Sequence, residues 1–76
     1  MRELVAYIAR SLVDNPDAVR VNEVEREQAC FIELSVARED MGKVIGKQGR
    51  TVRAIRAVLG AASTRLKKRV FLEIQE

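Results

Sequence analysis

Val44-Ile45-Gly46-Lys47-Gln48-Gly49-Arg50 is the stretch that decides how this chain is read. Gly46 and Gly49 bracket a basic and a neutral polar residue, and residues 41–45 before them and 50–66 after them are patterned like helices. Glycine has no Cβ, so it accepts positive φ and lets backbone come close to a ligand. A helix that starts just behind such a bend aims its unbonded amides, and the positive end of its dipole, at whatever lies there. Phosphates bind at such places. The stretch reads as a small phosphate clamp between two helices.

The flanking patterns extend the reading in both directions. Glu39 and Asp40 precede the short helix, where carboxylates suit an N-terminus, and Met41, Val44 and Ile45 are its apolar residues. The longer helix is predicted over residues 50–67. At about 100° per residue, Val52, Ile55, Leu59, Ala62 and Leu66 share a core face, and Ala54, Ala57 and Ala61 gather nearly opposite. Arg53, Arg56, Gly60 and Lys67 occupy a flank between the two. Gly60 costs that helix about 1 kcal/mol relative to alanine, and no glycine closes it before Arg69.

Towards the C-terminus, Val70, Leu72 and Ile74 alternate with Phe71, Glu73 and Gln75 as a strand. Towards the N-terminus, Cys30, Ile32, Leu34 and Val36 alternate with Phe31, Glu33, Ser35 and Ala37, the clearest strand in the chain. Cys30 then reads as a small buried hydrophobe. Val19, Val21 and Val24 suggest a further strand over 18–25, with a bulge at Asn22-Glu23 where the alternation slips. Leu4, Val5, Ile8, Ala9 and Leu12 place an amphipathic helix over 2–13, ended by Asp14-Asn15-Pro16-Asp17. The order is αββααβ, and the simplest way to bury these stripes is an α+β fold, a three-stranded sheet packed on one face by three helices.

Seventy-six residues hold one small domain. With 47% hydrophobic and 33% charged residues, the chain is neither disordered nor membrane-spanning in composition. The N-terminus carries Glu3 and no cleavage-site pattern, which speaks against a signal peptide. A lone Cys30 and no histidine exclude zinc clusters and Cys–His or Ser–His catalysis, and suggest a reducing cytosol. Net charge is +3, but residues 1–40 hold 5 basic and 9 acidic side chains, and residues 41–76 hold 9 basic and 2 acidic. The positive field belongs to the half with the glycine loop, and steers polyanions there.

Set between a short helix and a long basic one, inside a strand–helix–helix–strand frame, Gly46-Lys47-Gln48-Gly49 resembles the GxxG loop of KH domains. That loop clamps about four single-stranded nucleotides by their backbone. The extra helix and strand come before the core, as in the type II arrangement, so the resemblance implies one KH domain over 1–76 with its core at about 29–75. Together with the chain length, Glu39-Asp40-Met41-Gly42-Lys43-Val44-Ile45-Gly46-Lys47-Gln48-Gly49-Arg50 is similar to the KhpA family of stand-alone bacterial KH proteins.

The resemblance implies cytoplasmic binding of single-stranded RNA, RNA-chaperone behaviour, pairing with itself or with the larger KH protein KhpB, and a link to cell elongation and shape. It implies no enzyme, cofactor, metal, membrane insertion or small-molecule substrate. On this reading Gly46 and Gly49 permit close approach, and Lys47, Gln48, Arg50, Lys43 and Arg53 contact or attract phosphates. Arg56 and Arg38 are weaker candidates. Ile45, with Val44, offers an apolar floor for bases, and the Cys30–Ala37 strand forms the opposite wall of the groove as a sheet edge.

Ala54, Ala57 and Ala61 form a small-residue stripe suited to a dimer contact. Phe31 and Phe71 fall at polar parity and read as sheet-surface or interface residues. The rival reading is an adaptor whose KH fold serves a partner without touching RNA. An intact Gly46–Gly49 loop with a cation argues against it.

Overall fold

Strict alternation through residues 30–36 makes one side of that segment wholly apolar, and this side sets the sheet. In the computed structural model, which describes residues 1–75, the sheet holds β1 (Arg20–Glu25), β2 (Ala29–Ser35) and β3 (Arg69–Gln75) in the order β1-β2-β3. β1 runs antiparallel to β2, and β3 runs parallel to it. A parallel neighbour needs a crossover, which is supplied by α2 (Met41–Ile45) and α3 (Arg50–Leu66) with the glycine loop between them. A third helix, α1 (Arg2–Leu12), precedes the sheet. Short 3₁₀ turns stand at Pro16–Ala18, Arg38–Asp40 and Lys47–Gly49.

The core lies between the helices and one face of the sheet. Ile32 and Leu34 of β2 are 1% and 0% exposed. They pack with Val5 and Ala9 of α1, Val19, Cys30, Val36, Val44 of α2, and Ile55 and Leu59 of α3. Cys30 is buried as expected, and desolvation, the first cause, pushes its thiol pKa up, with the nearby Glu23 carboxylate adding to the effect. That is the opposite of an activated nucleophile.

Four expectations need correction. No bulge interrupts β1: its register with β2 is continuous from Arg20↔Ser35 to Glu25↔Cys30. The slip in the pattern has another cause. Glu23 takes an inward position, accepting hydrogen bonds from the Arg2 amide and the Cys30 thiol, and Val24 faces outward. Second, the strand containing Cys30 is central, paired on both sides, and so cannot be a sheet edge. Third, Leu66 is 57% exposed, since it stands in the last turn of α3, away from the core cluster. Fourth, α1 buries Val5, Ala6 and Ala9, while Leu4 and Leu12 are largely at the surface.

Asp40 locks the two halves together. Its carboxylate is buried and accepts hydrogen bonds from the amides of Asp14 and Asn15 (3.3 and 3.0 Å) and from Asn15 Nδ2 (3.0 Å). It makes no side-chain cap on its own helix. The turn after α1 is thereby fixed to the start of α2, and with it the base of the glycine loop.

Candidate nucleic-acid interface

Gly46 stops α2 with φ 79° and ψ 169°, a conformation open in practice only to glycine. A Cβ built there would lie 2.2 Å from Thr51 Oγ1 and 2.7 Å from the Thr51 amide nitrogen. Gly46 is therefore required twice, for its φ and for the close approach of α3. Gly49 takes φ 74° and ψ 15° as the residue preceding α3, and a Cβ there would meet nothing nearer than 3.9 Å. Between them Gln48 also adopts the left-handed region, at φ 57°.

The turn is closed internally. The Gly49 amide donates to the Gly46 carbonyl at 3.1 Å, and the Arg50 amide donates to the Lys47 carbonyl. These two amides are engaged within the turn. The first-turn amides of α3, such as that of Thr51, are left facing the loop by helix geometry. Lys47, Gln48 and Arg50 are exposed around them.

The structure separates the remaining candidates. Arg53 folds back onto the loop, donating from its guanidinium to the carbonyls of Gln48 (2.6 Å) and Gly49 (3.3 Å), so it braces the turn while carrying its charge to the site. Lys43 is tied away from the loop, at 2.8 Å from Asp14 and 4.0 Å from Asp40. The hydrogen bond and charge of Asp14 raise its pKa. Of the two apolar neighbours, Val44 is fully buried, whereas Ile45 is 37% exposed beside Gly46. Ala54, Ala57 and Ala61 are exposed along α3, with Val58 among them, away from the core face.

With β2 central, the sheet edge facing α3 belongs to β3. A cleft between them is lined by Arg56, Leu59, Gly60, Ser63, Val70 and Leu72. Arg56 crosses it to the Leu72 carbonyl at 3.4 Å. Sequence reasoning placed Arg56 and Gly60 on a helix flank but missed that this flank borders an open strand edge. Only the parallel pairing of β2 with β3 reveals it, and that pairing is a long-range choice. No group of acidic or cysteine side chains among the described residues could hold a metal ion.

Loop, helix and strand edge all belong to the segment from α2 to β3, and comparison with known proteins covers nearly the whole chain. The family description "KhpA/KhpB, KH domain" matches residues 2–74. The chain belongs to this family. Similar proteins include the RNA-binding protein KhpA of Caldanaerobacter subterraneus subsp. tengcongensis, 62% identical over 97% of this chain and 99% of that one. KhpA of Clostridium acetobutylicum is 58% identical over the same shares, and KhpA of Aquifex aeolicus is 50% identical over 100% of this chain and 96% of its own. The KhpA/KhpB family is not a class of enzymes. The fold expected from the resemblance, a type II KH arrangement with three helices and a three-stranded mixed sheet, is the one observed.

Proposed function

We propose that this chain binds single-stranded RNA, with a phosphate of the strand seated against the Gly46–Gly49 loop and the following nucleotides running along the α3–β3 cleft. The observation that carries this reading is the glycine-only backbone of Gly46, which brings exposed Lys47 and Gln48 to the N-terminal end of a 17-residue helix. The relatives named as RNA-binding proteins support the choice of RNA. Lys47 and Arg50 supply charge, the first-turn amides of α3 supply neutral donors, and Ile45 supplies apolar contact for a base. Contacts of this kind grip the sugar-phosphate chain and carry little sequence information, so preference among bases is small.

A module with so few contacts binds weakly alone, and a second linked site can raise avidity by roughly 10²–10⁴. A second copy or KhpB against the exposed Ala54, Ala57 and Ala61 strip would provide one. Action as a cytoplasmic RNA chaperone or post-transcriptional regulator, with a link to cell elongation and shape, follows from family resemblance alone.

The deciding experiment replaces Lys47 and Gln48 together by aspartate. Aspartate tolerates the left-handed conformation found at position 48, and both side chains face water. Circular dichroism and melting therefore stay close to those of the parent while RNA binding is lost. Full binding by the folded double variant would defeat the loop as the site.

A further inference from the structure

One flank of α3 leads from the glycine loop to a second group of cations. At about 100° per residue, Arg53, Arg56, Gly60 and Ser63 lie on a single stripe of the helix, and Lys67 caps the helix at its end. Arg56, Gly60 and Ser63 line the cleft against β3. A neighbouring hollow, bordered by Lys67, Lys68 and Arg69, shares Ser63, Arg69 and Phe71 with that cleft, so the two run together. The passage between Arg56 and Lys67 is open: a Cβ added at Gly60 would meet nothing within 4 Å.

The turn at the far end holds its charge in a fixed place. The amides of Lys67 and Lys68 both donate to the Ser63 carbonyl, and the Ser63 hydroxyl donates to the Lys68 carbonyl. The Arg69 amide donates to the Gln28 carbonyl at 3.1 Å, which ties the turn to the β1–β2 hairpin. These bonds occupy carbonyls that would otherwise repel an anion at a helix C-terminus. Lys67 and Arg69 are exposed, and the ion pairs among the described residues involve neither. Lys68 neutralises Glu25, and Arg26 balances Glu27 in the hairpin turn, so Lys67 and Arg69 leave this end positive. Lys67 also holds φ 57°, where glycine would sit at lower cost. A lysine in a glycine position gives up stability and contributes charge, a local conflict typical of functional sites.

We infer that Lys67 and Arg69 form a second phosphate site, which receives the far end of a single strand whose near end is seated on the Gly46–Gly49 loop. The inference rests on that seating and extends it. From Arg50 to Lys67 the helix advances about 25 Å. Successive phosphates of an unstacked strand lie roughly 6 Å apart, under twice the spacing in a stacked one. A tetranucleotide, with three internal phosphates, covers only about 12 Å and stays at the loop. About six nucleotides, with five phosphates, reach the turn. The track is thus longer than the grip on about four nucleotides that a GxxG loop supplies.

Fluorescence anisotropy with oligouridylates of about four to ten nucleotides tests this. The proteins are the parent chain, Lys67→Gly, and the double variant Lys67→Asn with Arg69→Gln. Glycine and asparagine both accept the left-handed cap, so the fold is kept, as circular dichroism checks. A longer strand offers every protein more registers, so proteins are compared at one length. Salt is about 0.1 M, where charges more than about 10 Å away are screened. On the tetranucleotide all three proteins coincide. On the octanucleotide the double variant binds about fivefold more weakly than the parent. Its slope of log affinity against log salt is shallower by up to about 1.4, two phosphates at about 0.7 each. Lys67→Gly loses up to about 0.7 of slope, although its fold is the more stable.

Equal octanucleotide affinities for parent and double variant overturn the inference. So does an equal loss on both lengths, which would make the turn a source of general attraction and no separate site. In either case loss of binding by the Lys47 and Gln48 aspartate variant leaves the loop reading standing. Full binding of both lengths by that loop variant would remove the loop reading and the inference together.

Discussion

At the scale of single residues, the two glycines of the loop are not equivalent. Gly46 combines a glycine-only backbone with a Thr51 nitrogen 2.7 Å from where a Cβ would sit, whereas Gly49 needs only left-handed φ and has room for a side chain. Gly46→Ala therefore costs about 1–3 kcal/mol from backbone conformation alone, adds a steric clash, and loses RNA binding. Gly49→Asn costs about 1 kcal/mol or less, because asparagine visits this region. Chemical melts paired with a binding titration separate the two; equal losses would mean that the close approach to Thr51 is not a constraint. The sequence marks both glycines but cannot rank them, since the rank depends on a helix packed against one of them. Asp40 is a similar case. Its pattern suggests a helix start, yet its carboxylate serves amides 25 and 26 residues away. The hydrogen bond from Asn15 Nδ2, above all, holds its pKa below the usual carboxylate value, with the Asp14 and Asn15 amides and Lys43 adding to the effect. A lowered folded pKa gives stability that is present above the ordinary aspartate value, about 3.9, and is lost as pH falls through the lower folded one. Melting temperature measured from pH 5 to pH 2 falls steeply for the parent protein. It falls less for Asp40→Asn, which starts from a lower plateau.

At the scale of elements, α3 shows what periodicity can and cannot supply. Its inward face, Val52, Ile55 and Leu59, is legible because 3.6-residue spacing is a local property. Its end is not. With no glycine available, Lys67 takes the left-handed cap conformation at φ 57°, and the Lys68 amide closes the turn onto the Ser63 carbonyl at 3.2 Å. Lys67→Gly should stabilise the chain by up to about 1 kcal/mol, the cost a non-glycine residue bears there. Gly60→Ala should add a similar amount, since a Cβ at that position meets nothing within 4 Å. Urea midpoints that fail to rise would count against this account of the helix. Because Gly60 also lines the α3–β3 cleft, RNA affinity of the same alanine variant shows whether a strand passes there; an unchanged affinity would place the RNA elsewhere. In β1 the reading failed because it equated apolar with inward. Tertiary hydrogen bonds from Arg2 and Cys30 let Glu23 hold an inward position, and the outer face gained Val24 beside the two phenylalanines. Sheet order was likewise beyond local pattern, so the strand edge beside α3 is that of β3 and not of β2.

At the scale of the whole molecule, the uneven charge of the chain is partly cancelled by folding. Lys43 is spoken for by Asp14, and Lys68 pairs with Glu25, whose pKa is lowered by that hydrogen bond. Lys47, Arg50 and Arg53 are left around the loop, and the ion pairs among the described residues involve none of them. Each phosphate neutralised contributes about −0.7 to the slope of log affinity against log salt for a single strand, so two or three such cations give a slope of roughly −1.4 to −2.1. Releasing Lys43 should change this in a defined way. Asp14 is 74% exposed, so Asp14→Asn costs little stability, within about 1 kcal/mol for a surface pair. It frees a lysine within a turn of the loop. The variant should bind RNA several-fold more tightly at low salt, with a slope steeper by up to about 0.7, and the difference should vanish as salt rises. Titrations across a salt series measure both quantities. A parallel line with unchanged slope would show that Lys43 stays outside the path of the strand, and that the site narrows to the loop, the first turn of α3 and the cleft beyond it.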